Sequence, residues 1–104
     1  MASDPFFDVL IARRTIYGIS DASPIPDSRI EEIVTKAIKH IPSTFNVQSA
    51  RAVILLKDEH KKFWDTADQF VKSALPDAVY QSLGPRIAGF RGGYGSVCIS
   101  RVVL

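Results

Sequence analysis

Two short polar segments carry the residue types that binding chemistry requires, and the first is Arg13-Arg14-Thr15. It places two guanidinium groups beside a hydroxyl. Because a guanidinium offers planar, paired donors, two of them can hold a phosphate. The same cations would also be favourable at the end of a helix, since a helix C-terminus attracts positive charge. The residues alone leave both interpretations open.

The second segment is Pro42–Gln48, with the sequence Pro-Ser-Thr-Phe-Asn-Val-Gln. Asn46 and Gln48 carry amides that both donate and accept hydrogen bonds. Two residues apart in an extended segment, they would project to the same side. Such a pair can recognise the edge of a flat heterocycle. The alternative interpretation is a loop whose side chains satisfy their own backbone.

The other chemistry-bearing residues match no motif that we recognise. The glycine-rich segment Gly89–Gly95 lacks the spacing of a nucleotide-binding loop and precedes a predicted strand, so we interpret it as a turn. With Cys98 as the single cysteine, His40 and His60 give no metal-ligand set at a known spacing. We predict structural or surface roles for both histidines and packing in the core or at an interface for Trp64.

Hydrophobic periodicity and chain breakers predict the elements that position these segments. The predicted order is helix, helix, strand, helix, helix, strand. The predicted boundaries are a helix from Pro5 to Arg13 or Arg14, a helix ending before Pro42, a strand at Ala52–Leu56, a helix from Asp58 that ends or kinks at Pro76, a helix from Asp77 to about Phe90, and a strand from Gly95 to Leu104.

Several details of these elements are also predicted. Asp4 is expected to cap the first helix, and Asp27 or Ser28 the second. The continuous apolar run of the first strand predicts burial on both faces. The third helix is expected to pack through one apolar face, formed by Phe63, Ala67, Phe70, Val71 and Ala74.

This order of elements predicts an α+β fold in a single domain covering residues 1–104. Two strands alone do not form an independently stable sheet. We therefore expect either further chain or a partner chain to complete the sheet.

Composition and charge narrow the classes of function. The sequence contains thirteen Lys and Arg and eleven Asp and Glu. The resulting net charge of +2 is too small to favour non-specific nucleic-acid binding. A single cysteine excludes an internal disulfide and fits a reducing compartment. No apolar run reaches the roughly 18 to 20 residues of a membrane span, and the N-terminus lacks the pattern of a signal peptide. We expect a cytoplasmic or nuclear protein with no membrane span and no nucleic-acid partner.

Taken together, the segments resemble the start of the nitroreductase family of FMN flavoproteins. The similar segments are Ala12–Tyr17, the amphipathic second helix, Pro42–Gln48 and the apolar strand that follows. Arg51–Trp64 and Pro85–Gly95 resemble the fungal nitroreductase-like branch, which is associated with fatty-acid-response and oxidative-stress functions. The resemblance covers about residues 5 to 97.

The resemblance implies an α-β-α sandwich and an intertwined homodimer that holds FMN at its interface. NAD(P)H would reduce the flavin, which would then reduce a nitroaromatic or quinone-like acceptor, and no side chain need act as an acid or base. By motif, Arg13, Arg14 and Thr15 would hold the phosphate and ribityl chain. The isoalloxazine would be lined from the partner subunit by Pro42, Ser43, Thr44, Asn46 and Gln48.

The sequence also departs from the family. Family members are about twice as long, so we expect this chain to be the N-terminal portion of such a domain. Tyr17 stands where a basic residue often follows the phosphate motif. The alternative to an enzyme is a non-enzymatic half-domain that oligomerises or binds a protein partner.

Overall fold

A computed structural model describes residues 3–101, and this part of the chain contains four helices and a two-stranded sheet. The elements are helices α1 (Asp4–Ala12), α2 (Asp27–His40), α3 (Asp58–Ala74) and α4 (Asp77–Arg91), strands β1 (Ala50–Leu56) and β2 (Gly95–Arg101), and a short 3-10 turn at Thr44–Asn46. The predicted order is confirmed. The predicted end of β2, residues 102–104, lies outside the described residues.

The helix starts differ from the predicted caps. Asp4 and Asp27 are the first residues of their helices, and neither helix has a side-chain capping bond. Pro5 lies in the first turn of α1, where a missing N–H is harmless. Helix α2 ends at His40, before Pro42, as predicted.

Strands β1 and β2 pair antiparallel, from Ala50 opposite Arg101 to Leu56 opposite Gly95. A Cβ atom at Gly95 would lie 2.8 Å from the Leu55 carbonyl oxygen and 2.6 Å from the Leu56 side chain, so the corner of the sheet requires glycine. The prediction that β1 is buried on both faces is wrong, since Val53 is 52% exposed. Helices α2 and α3 contact β1, whereas α4 packs on α3 and not on the sheet.

The predicted packing face of α3 is right for Ala67 and Val71, which are half-buried, and wrong for Phe70. Phe70 is 67% exposed, and the buried or half-buried stripe runs through His60, Trp64, Ala67 and Val71. This stripe has the same helical spacing as the predicted one. This stripe is the one that packs because partners on other elements form hydrogen bonds with the ring nitrogens of His60 and Trp64. These bonds offset the free-energy cost of burying the two polar rings.

The ring of His60 joins α3 to β2 and α4. His60 is 1% exposed, and its Nδ1 lies 2.8 Å from Ser96 Oγ. Its Nε2 lies 3.1 Å from the carbonyl oxygen of Arg91. Because a carbonyl only accepts, Nε2 carries a hydrogen, and in the neutral ring Nδ1 accepts from the Ser96 hydroxyl. The Trp64 Nε1–H donates to the same Oγ at 2.8 Å. His60 therefore has a structural role, and Trp64 has the predicted packing role, with its ring centroid 5.2 Å from that of Phe90.

A second cluster joins the start of α2 to the sheet. The Tyr94 hydroxyl donates to Asp27, and Lys57 Nζ lies 3.2 Å from the other oxygen of that carboxylate. The Lys57 backbone N–H donates to the Tyr94 carbonyl at 3.0 Å. The hydrogen bond from Tyr94, and then the charge and hydrogen bond of Lys57, hold the pKa of Asp27 below its ordinary value.

Tyr94→Phe is expected to lower the melting temperature near neutral pH, with a difference that shrinks as pH falls below about 4. The Asp27 pKa is lower in the folded than in the unfolded chain, so the contribution of this carboxylate is complete above its ordinary value of 3.8 and is lost as pH falls through the lowered value. Thermal unfolding across pH measures this. Tyr17→Phe, at an 81% exposed position, is the control, and a pH-independent difference would contradict the prediction.

Helix α1 contacts no other helix or strand within residues 3–101. Its large apolar side chains are exposed on every side, from Leu10 at 50% to Ile11 at 82%. The predicted apolar face of this helix is therefore present but uncovered in a single chain. None of the four helices in this part of the chain has the length and apolarity to cross a membrane.

Candidate functional site

The segment Pro42–Gln48 connects the end of α2 to the start of β1. Inside it, the Asn46 N–H donates to the Ser43 carbonyl at 3.0 Å and closes the 3-10 turn. The Gln48 N–H donates to Ser43 Oγ at 3.4 Å. Ser43 thus partly satisfies the backbone of its own loop, as the alternative interpretation expected. The side chain of Thr44 lies outside the described residues.

The prediction that this segment is extended is wrong. Phe45, Asn46 and Gln48 have φ values of 55°, 54° and 56°, in the left-handed region. Asparagine enters this region readily, whereas a bulky residue such as phenylalanine rarely does. Each such residue costs about 1 to 3 kcal/mol and persists only where its surroundings hold it, which is a frequent property of ligand-binding loops.

Two depressions flank this loop. The first has a volume of about 450 Å³, and Pro42, Ser43, Asn46 and Gln48 contribute to its lining, together with the end of α2, Arg51 and Ile99. The second, of about 500 Å³, shares Pro42 and Ser43 and adds residues from the adjoining ends of both strands. Four of the five loop residues predicted to form the site therefore meet at one depression, although the backbone is not extended.

Arg51 fastens the end of this loop and was not identified from the sequence. Its Nη1 donates to the Gln48 carbonyl at 3.1 Å and to the Ala50 carbonyl at 2.9 Å. The only signal in the sequence is its position just after the polar segment, which does not reveal that it binds backward to the loop. The guanidinium fixes the carbonyl next to the Gln48 amide and thereby positions the site.

The surroundings of the loop are basic. The sequence has no Asp or Glu in residues 33–57 or after Asp77. Lys39 and Arg51 line the first depression and Arg101 lines the second, and none of the three forms an ion pair within residues 3–101. Such a region favours anionic ligands. Among the described residues, no group of three or more His, Cys, Asp or Glu is arranged to hold a metal ion.

Arg13, Arg14 and Thr15 directly follow α1, which ends at Ala12. Arg13 is extended, with a ψ of 131°, and all three residues are exposed. Neither guanidinium forms an ion pair with a carboxylate of the described residues. The three residues line neither depression at the loop, so a single chain does not bring the two polar motifs together there.

Comparison with known proteins gives the family. The sequence profile of the Nitroreductase family matches residues 10–91. HBN1 of Saccharomyces cerevisiae, named as a nitroreductase, is 40% identical over 70 residues, which is 65% of this chain and 36% of HBN1. The nitroreductase FRM2 of the same yeast is 35% identical over 75 residues, which is 70% of this chain and 37% of FRM2.

Solved structures agree on the fold. Nitroreductase CinD from Lactococcus lactis, solved in complex with chloramphenicol, superposes with a TM-score of 0.75 at 26% identity. The superposition covers 92% of this chain and 47% of CinD. A nitroreductase from Saccharomyces cerevisiae superposes with a TM-score of 0.74 at 29% identity. This superposition covers 95% of this chain and 53% of the yeast protein. The chain thus spans about half the length of these proteins and has the predicted α+β fold. It belongs to the nitroreductase family.

Proposed function

We propose that this chain forms part of an FMN-dependent oxidoreductase that takes hydride from NAD(P)H and reduces a nitroaromatic or quinone-like acceptor. Membership of the nitroreductase family supports an oxidoreductase role. The observation that carries the proposal is the convergence of Pro42, Ser43, Asn46 and Gln48 on one depression with basic surroundings. A cytoplasmic or nuclear location and a role in oxidative stress or lipid response belong to the same proposal.

The donor set of this chain fits FMN. The amides of Asn46 and Gln48 match the donors and acceptors on the edge of an isoalloxazine ring, and the guanidinium groups of Arg13 and Arg14 match a phosphate. Bound FMN supplies the hydride chemistry. The residues of this chain bind and orient the flavin, and the left-handed loop holds the two amides in place before the ligand arrives.

We further propose that the site is completed by a second copy of the chain. Arg13, Arg14 and Thr15 line neither depression at the loop of their own chain. Helix α1, which precedes them directly, exposes apolar side chains that have no covering element in residues 3–101. A homodimer that buries α1 would cover this apolar surface and carry the phosphate motif of one subunit toward the partner.

Phe6→Glu is expected to weaken the homodimer by about 100-fold or more. Phe6 on α1 is 64% exposed in the single chain, and a dimer that covers it would have to bury an unpaired carboxylate in the variant. Sedimentation velocity across protein concentration measures the dissociation constant. Phe70→Glu on α3, at a 67% exposed position, is the matched control and should leave the dimer intact. Equal dissociation by both variants would contradict the role of α1.

The activity is tested by supplying the chain with FMN, NADH or NADPH, and a nitroaromatic acceptor. We expect FMN-dependent oxidation of a nicotinamide cofactor that accelerates when the acceptor is added. The alternative, a non-enzymatic half-domain that oligomerises or binds a partner, is favoured by the uncovered apolar helix α1. A chain that takes up no FMN but forms a defined oligomer would support that alternative.

A further inference from the structure

Two exposed cations beside the loop are not needed to bind the flavin phosphate. Lys39 lies in the last turn of α2 and lines the first depression, and Arg101 ends β2 and lines the second. Arg101 pairs with Ala50, which places it at the loop end of the sheet. Neither cation forms an ion pair within residues 3–101. FMN has a single phosphate, for which Arg13 and Arg14 already supply two guanidinium groups.

The two depressions form one continuous surface with a cation on each part. They share four lining residues, which are Pro42, Ser43, Ala50 and Ile99. Among the described residues, no Asp or Glu lines either depression. A ligand that extends from the first depression into the second would therefore meet Lys39 and Arg101 and no carboxylate. Such a ligand gains most when it carries a phosphate of its own.

We propose that Lys39 and Arg101 bind the ribose 2′-phosphate of NADPH and make NADPH the preferred cofactor over NADH; this inference rests on the proposed function. The 2′-phosphate is the only chemical difference between the two cofactors. A phosphate monoester carries about 1.5 to 2 negative charges at pH 7, and its oxygens accept charge-assisted hydrogen bonds from Lys and Arg.

The absence of a carboxylate from this surface supports the same choice. Sites that select NADH place an Asp or Glu against the ribose 2′-hydroxyl, whereas a nearby Arg accommodates the 2′-phosphate of NADPH. A carboxylate in that place would also repel the phosphate, which is how a binding site rejects the wrong ligand. Within residues 3–101, the surface around Lys39 and Arg101 has the charges of the second kind of site.

The test measures binding of adenosine phosphates to the FMN-loaded full chain by isothermal titration calorimetry. The probe is adenosine 2′,5′-bisphosphate, and 5′-AMP differs from it by the 2′-phosphate alone. We expect the unmodified chain to bind the bisphosphate at least about tenfold more tightly than 5′-AMP. Lys39→Gln and Arg101→Gln should each weaken binding of the bisphosphate by about tenfold, the effect of one lost charge-assisted hydrogen bond.

The matched controls remove a similar charge outside the two depressions. Lys36→Gln changes an exposed lysine one turn earlier on α2, which pairs with Glu32 at 3.0 Å. Arg86→Gln changes an exposed arginine on α4. Neither residue lines the depressions at the loop, so both variants should bind the bisphosphate as the unmodified chain does. Equal weakening by controls and test variants would assign the effect to net charge and overturn the inference.

Steady-state kinetics with 4-nitrobenzyl alcohol as acceptor give a second readout. The ratio of the KM for NADPH to the KM for NADH should rise by about tenfold in Lys39→Gln and in Arg101→Gln. The change should appear in KM rather than in kcat, because the 2′-phosphate lies far from the nicotinamide ring and is bound equally in the ground state and the transition state. An unchanged ratio would contradict a contact with the 2′-phosphate.

Two further results would overturn the inference while leaving the proposed function intact. One is equal affinity of the unmodified chain for adenosine 2′,5′-bisphosphate and 5′-AMP. The other is a parallel loss of FMN affinity in Lys39→Gln and Arg101→Gln, which would assign these cations to the flavin phosphate. Failure of the unmodified chain to take up FMN would instead defeat the proposed function and this inference with it. The FMN titration of the unmodified chain separates the two cases.

Discussion

Replacing Arg13 and Arg14 together by alanine is expected to weaken FMN binding by about 100-fold or more. Hydrogen bonds to charged groups contribute about 1.5 to 3 kcal/mol each, and paired guanidinium–phosphate contacts are among the strongest. Neither arginine forms an ion pair within residues 3–101, so both are available to a phosphate. Quenching of flavin fluorescence gives the dissociation constant.

The matched control is Arg86→Ala, which removes an exposed guanidinium from α4 that lines neither depression at the loop. It should leave FMN affinity within about twofold, since salt largely screens the interaction between a distant surface charge and the ligand. If Arg86→Ala weakens binding as much as Arg13→Ala alone, the effect is one of net charge. If the double variant binds FMN normally, Arg13 and Arg14 do not hold the phosphate.

Ser96→Ala is expected to lower the free energy of unfolding by about 2 to 4 kcal/mol. Its hydroxyl donates to His60 and accepts from Trp64, and the ring of His60 is 1% exposed. Without the hydroxyl, two ring nitrogens lose their partner in a water-poor region, and each unsatisfied buried group costs about 1 to 3 kcal/mol. Urea unfolding followed by tryptophan fluorescence measures the loss.

Ser100→Ala is the control for this prediction. Ser100 lies on the same strand and is exposed, so the change should stay within about 0.5 kcal/mol. His60→Ala should destabilise the chain at least as strongly as Ser96→Ala, because it also removes the hydrogen bond to the Arg91 carbonyl. A stability of Ser96→Ala close to that of Ser100→Ala would show that water replaces the hydroxyl and that the network is not structural.

The order of the elements was predictable because local signals agree with the fold. The apolar run of β1, the periodicity of α2, and the breakers Pro42 and Pro76 lie where the structure starts or ends its elements. Helix α4 is correctly placed despite Pro85 in its interior. These signals act over a few residues, which is why one sequence suffices to detect them.

Tertiary partners were not predictable in the same way. His60 buries its ring because Ser96, 36 residues further along the chain, supplies a hydroxyl. Asp27 fails to cap α2, and its carboxylate instead accepts from Tyr94, 67 residues away. A side chain whose partner comes from a distant element gives no periodic signal, so apolar spacing alone placed Phe70 in the packing face of α3 and left out His60.

The candidate site was predictable in its residues but not in its backbone. The polar types of Pro42–Gln48 indicated a heterocycle site, and four of the predicted residues line one depression. The left-handed conformation of Phe45 could not be predicted from the sequence, because the segment contains no glycine and phenylalanine rarely adopts a positive φ. The roles of Arg13, Arg14 and Thr15 remain predictions, as does the contribution of each loop residue to flavin binding.

The visible absorption spectrum of the purified chain, titrated with FMN, tests the central claim most directly. We predict saturable binding with shifted flavin bands and quenched flavin fluorescence, at one FMN per chain, and loss of this signal in the Arg13 and Arg14 double alanine variant. A spectrum identical to that of free FMN at every protein concentration would contradict the claim that this chain forms a flavin site.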